Sequence, residues 1–141
     1  MEIVLLRLEE LREHEEIEPV YLEKLKKQIQ DDGILKKPIV VDKNTKIILD
    51  GHFRFNALKQ LGYSRIPVFS VDYNSSNIMV TAWRDGEIVT KEDVIIAGLT
   101  GKKLPPKTSK HMLNSSNHKI HISKIVEKVN VPLAELKVVI E

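Results

Sequence analysis

Ile47-Ile48-Leu49-Asp50-Gly51-His52-Phe53-Arg54-Phe55-Asn56-Ala57-Leu58 is the stretch on which the reading of this chain turns. An apolar run ends at Asp50, a glycine follows, and Phe55, Leu58 and Leu61 then recur at helical spacing up to Gly62. The spacing predicts a buried strand that runs through a glycine into a helix. A helix N-terminus exposes unpaired N–H groups and the positive end of a dipole, which favours anions. Gly51 permits close backbone approach. His52 and Arg54 add donors, and an Arg fork can hold two phosphate oxygens at once. Asp50 would repel a phosphate directly; it makes sense as a ligand of Mg²⁺ or as a helix cap. An ordinary Asp cap beside a solvated His and Arg explains the same residues, and spacing alone leaves both readings open.

Outward from this stretch the elements alternate. Pro38-Ile39-Val40-Val41 predicts a strand, Asp42-Lys43-Asn44 a turn, and residues 46–49 the returning strand of a hairpin. Pro19 suits a first helical turn, Leu22, Leu25 and Ile29 form a stripe, and Gly33 closes the helix. Residues 3–8 predict a first strand, and the acidic segment 12–16 a loop. Beyond Gly62, residues 66–73 and 78–83 predict strands. Thr90 and Asp93 resemble a capping box for a short helix through residues 94–97. Residues 98–109, rich in Gly, Pro and Lys, predict a loop; 114–117 a polar, mobile stretch; and 129–140 a final strand or extended tail.

Composition bounds the function. The 141 residues suit one domain, 1–141, with a single core. A net charge of +2 does not by itself imply a nucleic-acid partner. With no cysteine there is neither a disulfide framework nor thiolate chemistry. No apolar run approaches the roughly 18 residues that span a membrane. Met1-Glu2-Ile3-Val4 lacks the basic start of a signal peptide. The expectation is a cytoplasmic protein with no membrane partner.

Other segments carry candidate chemistry. Leu104-Pro105-Pro106-Lys107-Thr108-Ser109-Lys110-His111 stiffens at its prolines and then offers consecutive donors, as an anion-binding loop would; a solvated basic loop is the plainer reading. In His14-Glu15-Glu16, a glutamate beside a cleft could serve as general base, although acidic runs are usually solvated surface. Trp83, the only tryptophan, precedes Arg84 and could stack on a base, wall a small-molecule pocket, or pack in the core. The P-loop pattern is missing, since Gly101-Lys102 is followed by Lys103, and no G-x-G-x-x-G occurs. A P-loop NTPase, a protein kinase and a Rossmann enzyme are disfavoured. His118 and His121 have no nearby ligand pattern and read as surface residues.

The order of elements, with Leu49-Asp50-Gly51-His52-Phe53-Arg54 and Gly62-Tyr63-Ser64-Arg65-Ile66-Pro67-Val68, resembles the ParB/sulfiredoxin superfamily over about the first half of the chain. That implies an α/β (α+β) fold: a compact mixed sheet flanked by short helices. The superfamily contains CTP-binding DNA-partition proteins, sulfiredoxins and kinases for free serine. His14-Glu15, Trp83 and Pro105-Pro106-Lys107-Thr108-Ser109-Lys110-His111 look like the last of these. The resemblance implies transfer of a phosphoryl group from ADP or ATP, with Mg²⁺, to free L-serine. It makes Glu15 the catalytic base and Asp50 the essential aspartate. Gly51, His52 and Arg54 become phosphate-binding positions, and Lys107, Thr108, Ser109 and His111 polar contacts to nucleotide and phosphate. Trp83 and Lys110 fall to the serine pocket. One position departs: the fourth residue of the loop is usually His in these kinases and is Phe53 here. The chain is also shorter than those kinases. A ParB-like nucleotide module acting with DNA is the alternative, but no helix-turn-helix follows the core, so a specific nucleic-acid partner is not expected. Sulfiredoxin chemistry needs a cysteine and is excluded. The oligomeric state stays open.

Overall fold

The computed structural model describes residues 2–115 and 118–137. β1 (Val4–Arg7) leads through a 3-10 turn, Leu8–Glu10, into an irregular segment and then α1 (Pro19–Asp32). Pro19 costs α1 nothing, because its first-turn N–H would be unpaired anyway. The Glu18 carboxylate accepts from the N–H groups of Val20 and Tyr21, and Gly33, at φ 69°, ends the helix in the left-handed conformation. There follow β2 (Ile34–Leu35), β3 (Ile39–Asp42), β4 (Ile48–Asp50), α2 (His52–Gln60) and β5 (Arg65–Val71). The second half holds β6 (Ile78–Ala82), α3 (Lys91–Thr100), β7 (Ser109–Ser115), β8 (His118–His121) and β9 (Val131–Pro132), with 3-10 turns at Ile122–Ile125 and Leu133–Leu136.

The main sheet is mixed, in the order β1-β5-β3-β4. β3 pairs antiparallel with β4 and parallel with β5, so α2 is the crossover that returns the chain alongside β3. All four residues of β3 are buried, as a strand covered on both faces must be. The two-residue strand period divides them. Ile39 and Val41, with Ile48 of β4, meet α1 and α2 through Leu22, Ile29, Phe55 and Leu58. Val40, with Ile47 and Leu49, turns the other way onto Tyr73, Ile78, Val94 and Ile122. Each fully buried Ile, Val or Leu here contributes about 1.5–3 kcal/mol. The second core carries a smaller antiparallel sheet, β6-β7-β8.

The hairpin and the strand–glycine–helix unit form as read, and so does the Thr90–Asp93 capping box. Two segments differ. The expected loop 98–109 is shorter, because α3 runs through Gly98 to Thr100 and stops at Gly101, φ 77°. Gly98 is no breaker: a Cβ there would sit 2.6 Å from two carbons of the Ile47 side chain, so glycine lets α3 pack against Ile47, just before β4. At the other end of that loop, Ser109 to His111 are already strand residues of β7. The expected strand or tail at 129–140 instead makes only the short β9, paired with β2, and then folds Leu133 and Leu136 into the first core. Residues 138–140 of that segment lie outside the described residues. So do 116 and 117 of the polar stretch, whose first two residues end β7.

Candidate active site

Gly51 begins α2 at φ 110°, and a Cβ there would overlap the Ile39 side chain and lie 3.0 Å from an Arg54 nitrogen. Only glycine lets the strand turn this tightly into the helix. Among the described residues no side chain caps α2, whereas Glu18 caps α1 and Thr90 caps α3. The first N–H groups of α2 therefore keep the open donor capacity that suits an anion. Asp50 is not a cap; its Oδ2 takes Arg54 Nη2 at 3.1 Å, a half-buried ion pair. Arg54 Nε is buried without a hydrogen-bond partner, which leaves that edge of the guanidinium unspent.

The ring of His52, an expected phosphate-binding position, is tied to the backbone. Its Nε2 accepts from the His14 backbone N–H at 3.1 Å. Burial first, and the neighbouring His14, His111 and Lys103 second, hold its pKa well below the ordinary value. With Nε2 accepting, a neutral ring carries its proton on Nδ1. His111, another expected contact to nucleotide and phosphate, is also tied down. The inward register of β7 buries it, its Nε2 meets the Tyr73 hydroxyl at 2.8 Å, and burial pushes its pKa down to about 3. His14, which sequence reasoning left without a role, completes a buried trio, with ring centroids 4.6 Å from His52 and 5.7 Å from His111.

Thr108 and Ser109 cradle an anion of the chain itself, the Glu15 carboxylate. Glu15 Oε1 accepts from Thr108 N at 2.6 Å, Ser109 N at 2.9 Å and Ser109 Oγ at 3.4 Å. Two backbone bonds, Leu104 N to His14 O and Glu16 N to Leu104 O, lash the segments together. Burial raises the Glu15 carboxyl above its ordinary pKa, and the donors of Ser109 and Thr108 pull it partly back. No described residue bonds Oε2. Lys107 holds a left-handed conformation, φ 54°, that few lysines adopt. Thr108 Oγ1 donating to Pro105 O and Arg84 Nη2 donating to Pro106 O clamp it there. Trp83 is 49% exposed, so it is no core residue; Lys110 Nζ lies 4.8 Å above its ring and His121 stands 6.0 Å away.

A cavity of about 600 Å³ joins these groups: Glu15, Asp50, Gly51, His52, Trp83, Lys107, Ser109 and His111 all line it. His121, read from the sequence as a surface residue, lines it too, as do Ser123 and Lys124, which nothing in the sequence pattern had marked. Thr108 contributes through its N–H to Glu15, and Lys110 through the Trp83 face. Arg54 opens instead on a second cavity of about 340 Å³, whose floor is Leu25, Ile29 and Leu35 and whose walls include Lys36 and Lys37. Asp50, Gly51, His52 and Phe53 form the rim common to both. Phe53, at the departing position, packs edge-on against Tyr21 at 4.7 Å.

Over 96% of its length the chain superposes on 94% of a free serine kinase in complex with AMP, with TM-score 0.80 and 19% identity. The chain has the free serine kinase fold. A conserved hypothetical protein from Pyrococcus furiosus shares it, with TM-score 0.80 and 19% identity over 96% of this chain and 97% of that one. No known family profile matches the chain. In sequence it is 34% identical over 87 residues to an ATP-dependent L-serine kinase of Staphylothermus marinus, covering 59% of this chain and 34% of that protein. A ParB-like protein of Sulfolobus acidocaldarius is 50% identical over 46 residues, 33% of this chain and 23% of the other. The chain thus matches about a third or less of these curated relatives' length, while the fold comparison runs along nearly all of it.

Proposed function

We propose that this chain is a kinase that moves a phosphoryl group from ADP or ATP to the hydroxyl of free L-serine, giving O-phospho-L-serine. One observation carries the reading: a carboxylate held by its neighbours with one oxygen unspent, Glu15, lines the same cavity as the uncapped N-terminus of α2. In this reading the nucleotide base rests on the apolar floor of Leu25, Ile29 and Leu35. The phosphates lie across the common rim, where the first α2 N–H groups, Arg54 and Lys107 balance their charge. Serine enters the larger cavity beside Trp83. Its oxygen forms a bond to the terminal phosphorus as the bridging P–O bond of the donor breaks, and its proton passes to Glu15 Oε2. Phosphoryl transfer asks chiefly for positioning and charge balance. A base whose pKa burial has raised toward the working pH is the better acceptor.

The described residues contain no cluster of three or more side chains able to cage a metal ion. Mg²⁺ in such enzymes usually travels with the donor phosphates and needs only one or two carboxylates. Asp50 fits that part, since Arg54 occupies only its Oδ2. When bound, Mg²⁺ would neutralise phosphate charge. Similarity to proteins named L-serine kinase from Staphylothermus marinus, Desulfurococcus mucosus and Thermococcus kodakarensis supports the substrate assignment. No described helix is long and apolar enough to cross a membrane, and we place the reaction in the cytoplasm. Incubation with serine, Mg²⁺ and either nucleotide, followed by detection of phosphoserine, tests it. The ParB-like match motivates a second reading, a nucleotide-binding module that acts with DNA and phosphorylates nothing.

A further inference from the structure

The buried His14 ring has no part in the chemistry above, yet it touches Ser109, which holds the carboxylate that performs it. His14 is 1% exposed, and its Nε2 lies 2.9 Å from Ser109 Oγ, which in turn lies 3.4 Å from Glu15 Oε1. Proton bookkeeping along this line has one economical solution. His14 Nδ1 makes no well-formed hydrogen bond; the Ile48 backbone beside the ring favours its protonated form but is poorly placed to accept. A proton on Nδ1 would therefore have that misaligned backbone as its only acceptor among the described residues, which is costly. A proton on Nε2 has Ser109 Oγ as acceptor, and the hydroxyl proton then has Glu15 Oε1. Every donor is satisfied, and each bond polarises the next. The ring is neutral in this state, as its burial demands.

We infer that His14 and Ser109 form a positioning relay: the His14 Nε2–H orients the Ser109 hydroxyl toward Glu15 Oε1 and so holds Oε2 free toward the acceptor. The role of Oε2 rests on the kinase reading; the relay itself does not. The 3.4 Å step is long for a hydroxyl donor, as catalytic hydrogen bonds often are before substrate is bound. His14 is also fixed by its backbone, to His52 through its N–H and to Leu104 through its carbonyl, so the relay ties the base to the phosphate rim. Other charged or titratable groups face Glu15: Arg84 acts on it, and Glu16, Asp50, His52, Lys107, His111, His121 and Lys124 line its cavity. None of these is altered in the test.

The test compares Ser109→Ala, His14→Leu, His14→Gln and the double variant Ser109→Ala/His14→Leu, each checked for folding by circular dichroism. The Glu15 carboxyl is titrated by carbon-13 NMR on the protein alone. The acid limb of kcat/KM for serine and the KM for nucleotide are measured alongside. Ser109→Ala is expected to raise the Glu15 midpoint by about 0.5–1 pH unit, because a donor to the charged form is lost. His14→Leu should move it the same way, the double variant no further than the larger single effect, and His14→Gln, whose amide can replace the ring donor, little. The acid limb should follow the midpoint while KM for nucleotide stays put. An unmoved midpoint in folded Ser109→Ala, or additive effects in the double variant, overturns the relay. Should His14→Leu fail to fold, Ser109→Ala and His14→Gln decide. If the unaltered protein makes no phosphoserine, the kinase reading falls, while the titration still decides the relay.

Discussion

Two carboxylates stand side by side at residues 15 and 16, and the structure treats them differently. Glu15 is drawn into a cradle of Thr108 and Ser109 donors, whereas the Glu16 backbone merely bridges to Leu104. Glu15→Gln should lower kcat by about 100-fold or more with nucleotide affinity nearly unchanged, and Glu16→Gln should do little. Steady-state kinetics with calorimetry decides this, and sensitivity at Glu16 alone would refute the assignment. The histidines make a separate prediction about pH. His14 and His111 keep folded pKa values of about 4 and about 3, below the ordinary 6.5, and His52 is lowered too. The stability of such groups is fully present above the unfolded value and is lost as pH falls through it toward the folded values, because the unfolded chain takes up protons that the folded chain refuses. Glu15, with its raised pKa, runs the other way and gains as pH falls. Three groups oppose one, so the urea midpoint should decline between about pH 6.5 and 5, with net proton uptake on unfolding. A midpoint flat across that window contradicts the buried neutral trio.

At the scale of elements, two glycines in the left-handed region should behave differently. Gly51→Ala must place a Cβ on Ile39 at φ 110°, and about 3 kcal/mol or more of stability should be lost along with nucleotide binding. Gly33→Ala, at φ 69° with nothing within 4 Å, should cost only about 1–2 kcal/mol. Equal costs in denaturant unfolding would mean that the close packing of α2 on β3 is not what Gly51 serves. These same elements show what a sequence can disclose. The β4–Gly51–α2 unit was legible because strand period, glycine and helical stripe fall within a dozen residues. β7 was not: its inward Ser109 and His111 lie beside Pro105, Pro106 and Lys107, whose composition speaks for a loop, and only pairing with β6 reveals the strand. Gly98 misled for a similar reason, since its missing side chain answers to Ile47, about fifty residues away. At the site, Glu15, Trp83 and Lys107 could be singled out, but that Glu15 is the anion of its own loop could not, because the contact spans 93 residues.

At the scale of the molecule, the two cavities meet at the turn from β4 into α2, where Asp50, Gly51, His52 and Phe53 line both. One opens between α1 and the N-terminus of α2, the other between that N-terminus and the β6-β7-β8 sheet, so donor and acceptor can approach from opposite sides of one rim. A net charge of +2 over 141 residues does not by itself imply a nucleic-acid partner. On the kinase reading, duplex DNA should bind only weakly at physiological salt in a gel-shift or anisotropy titration. Sequence-specific binding at nanomolar concentration would favour the ParB-like reading. The most direct measurement is of product. The protein is incubated with L-serine, Mg²⁺ and ADP or ATP, and phosphorus NMR follows the small molecules. O-phosphoserine should form mole for mole with AMP from ADP or ADP from ATP, and should be lost in Glu15→Gln. Nucleotide bound without turnover, or hydrolysed to free phosphate with no phosphoserine, would contradict it.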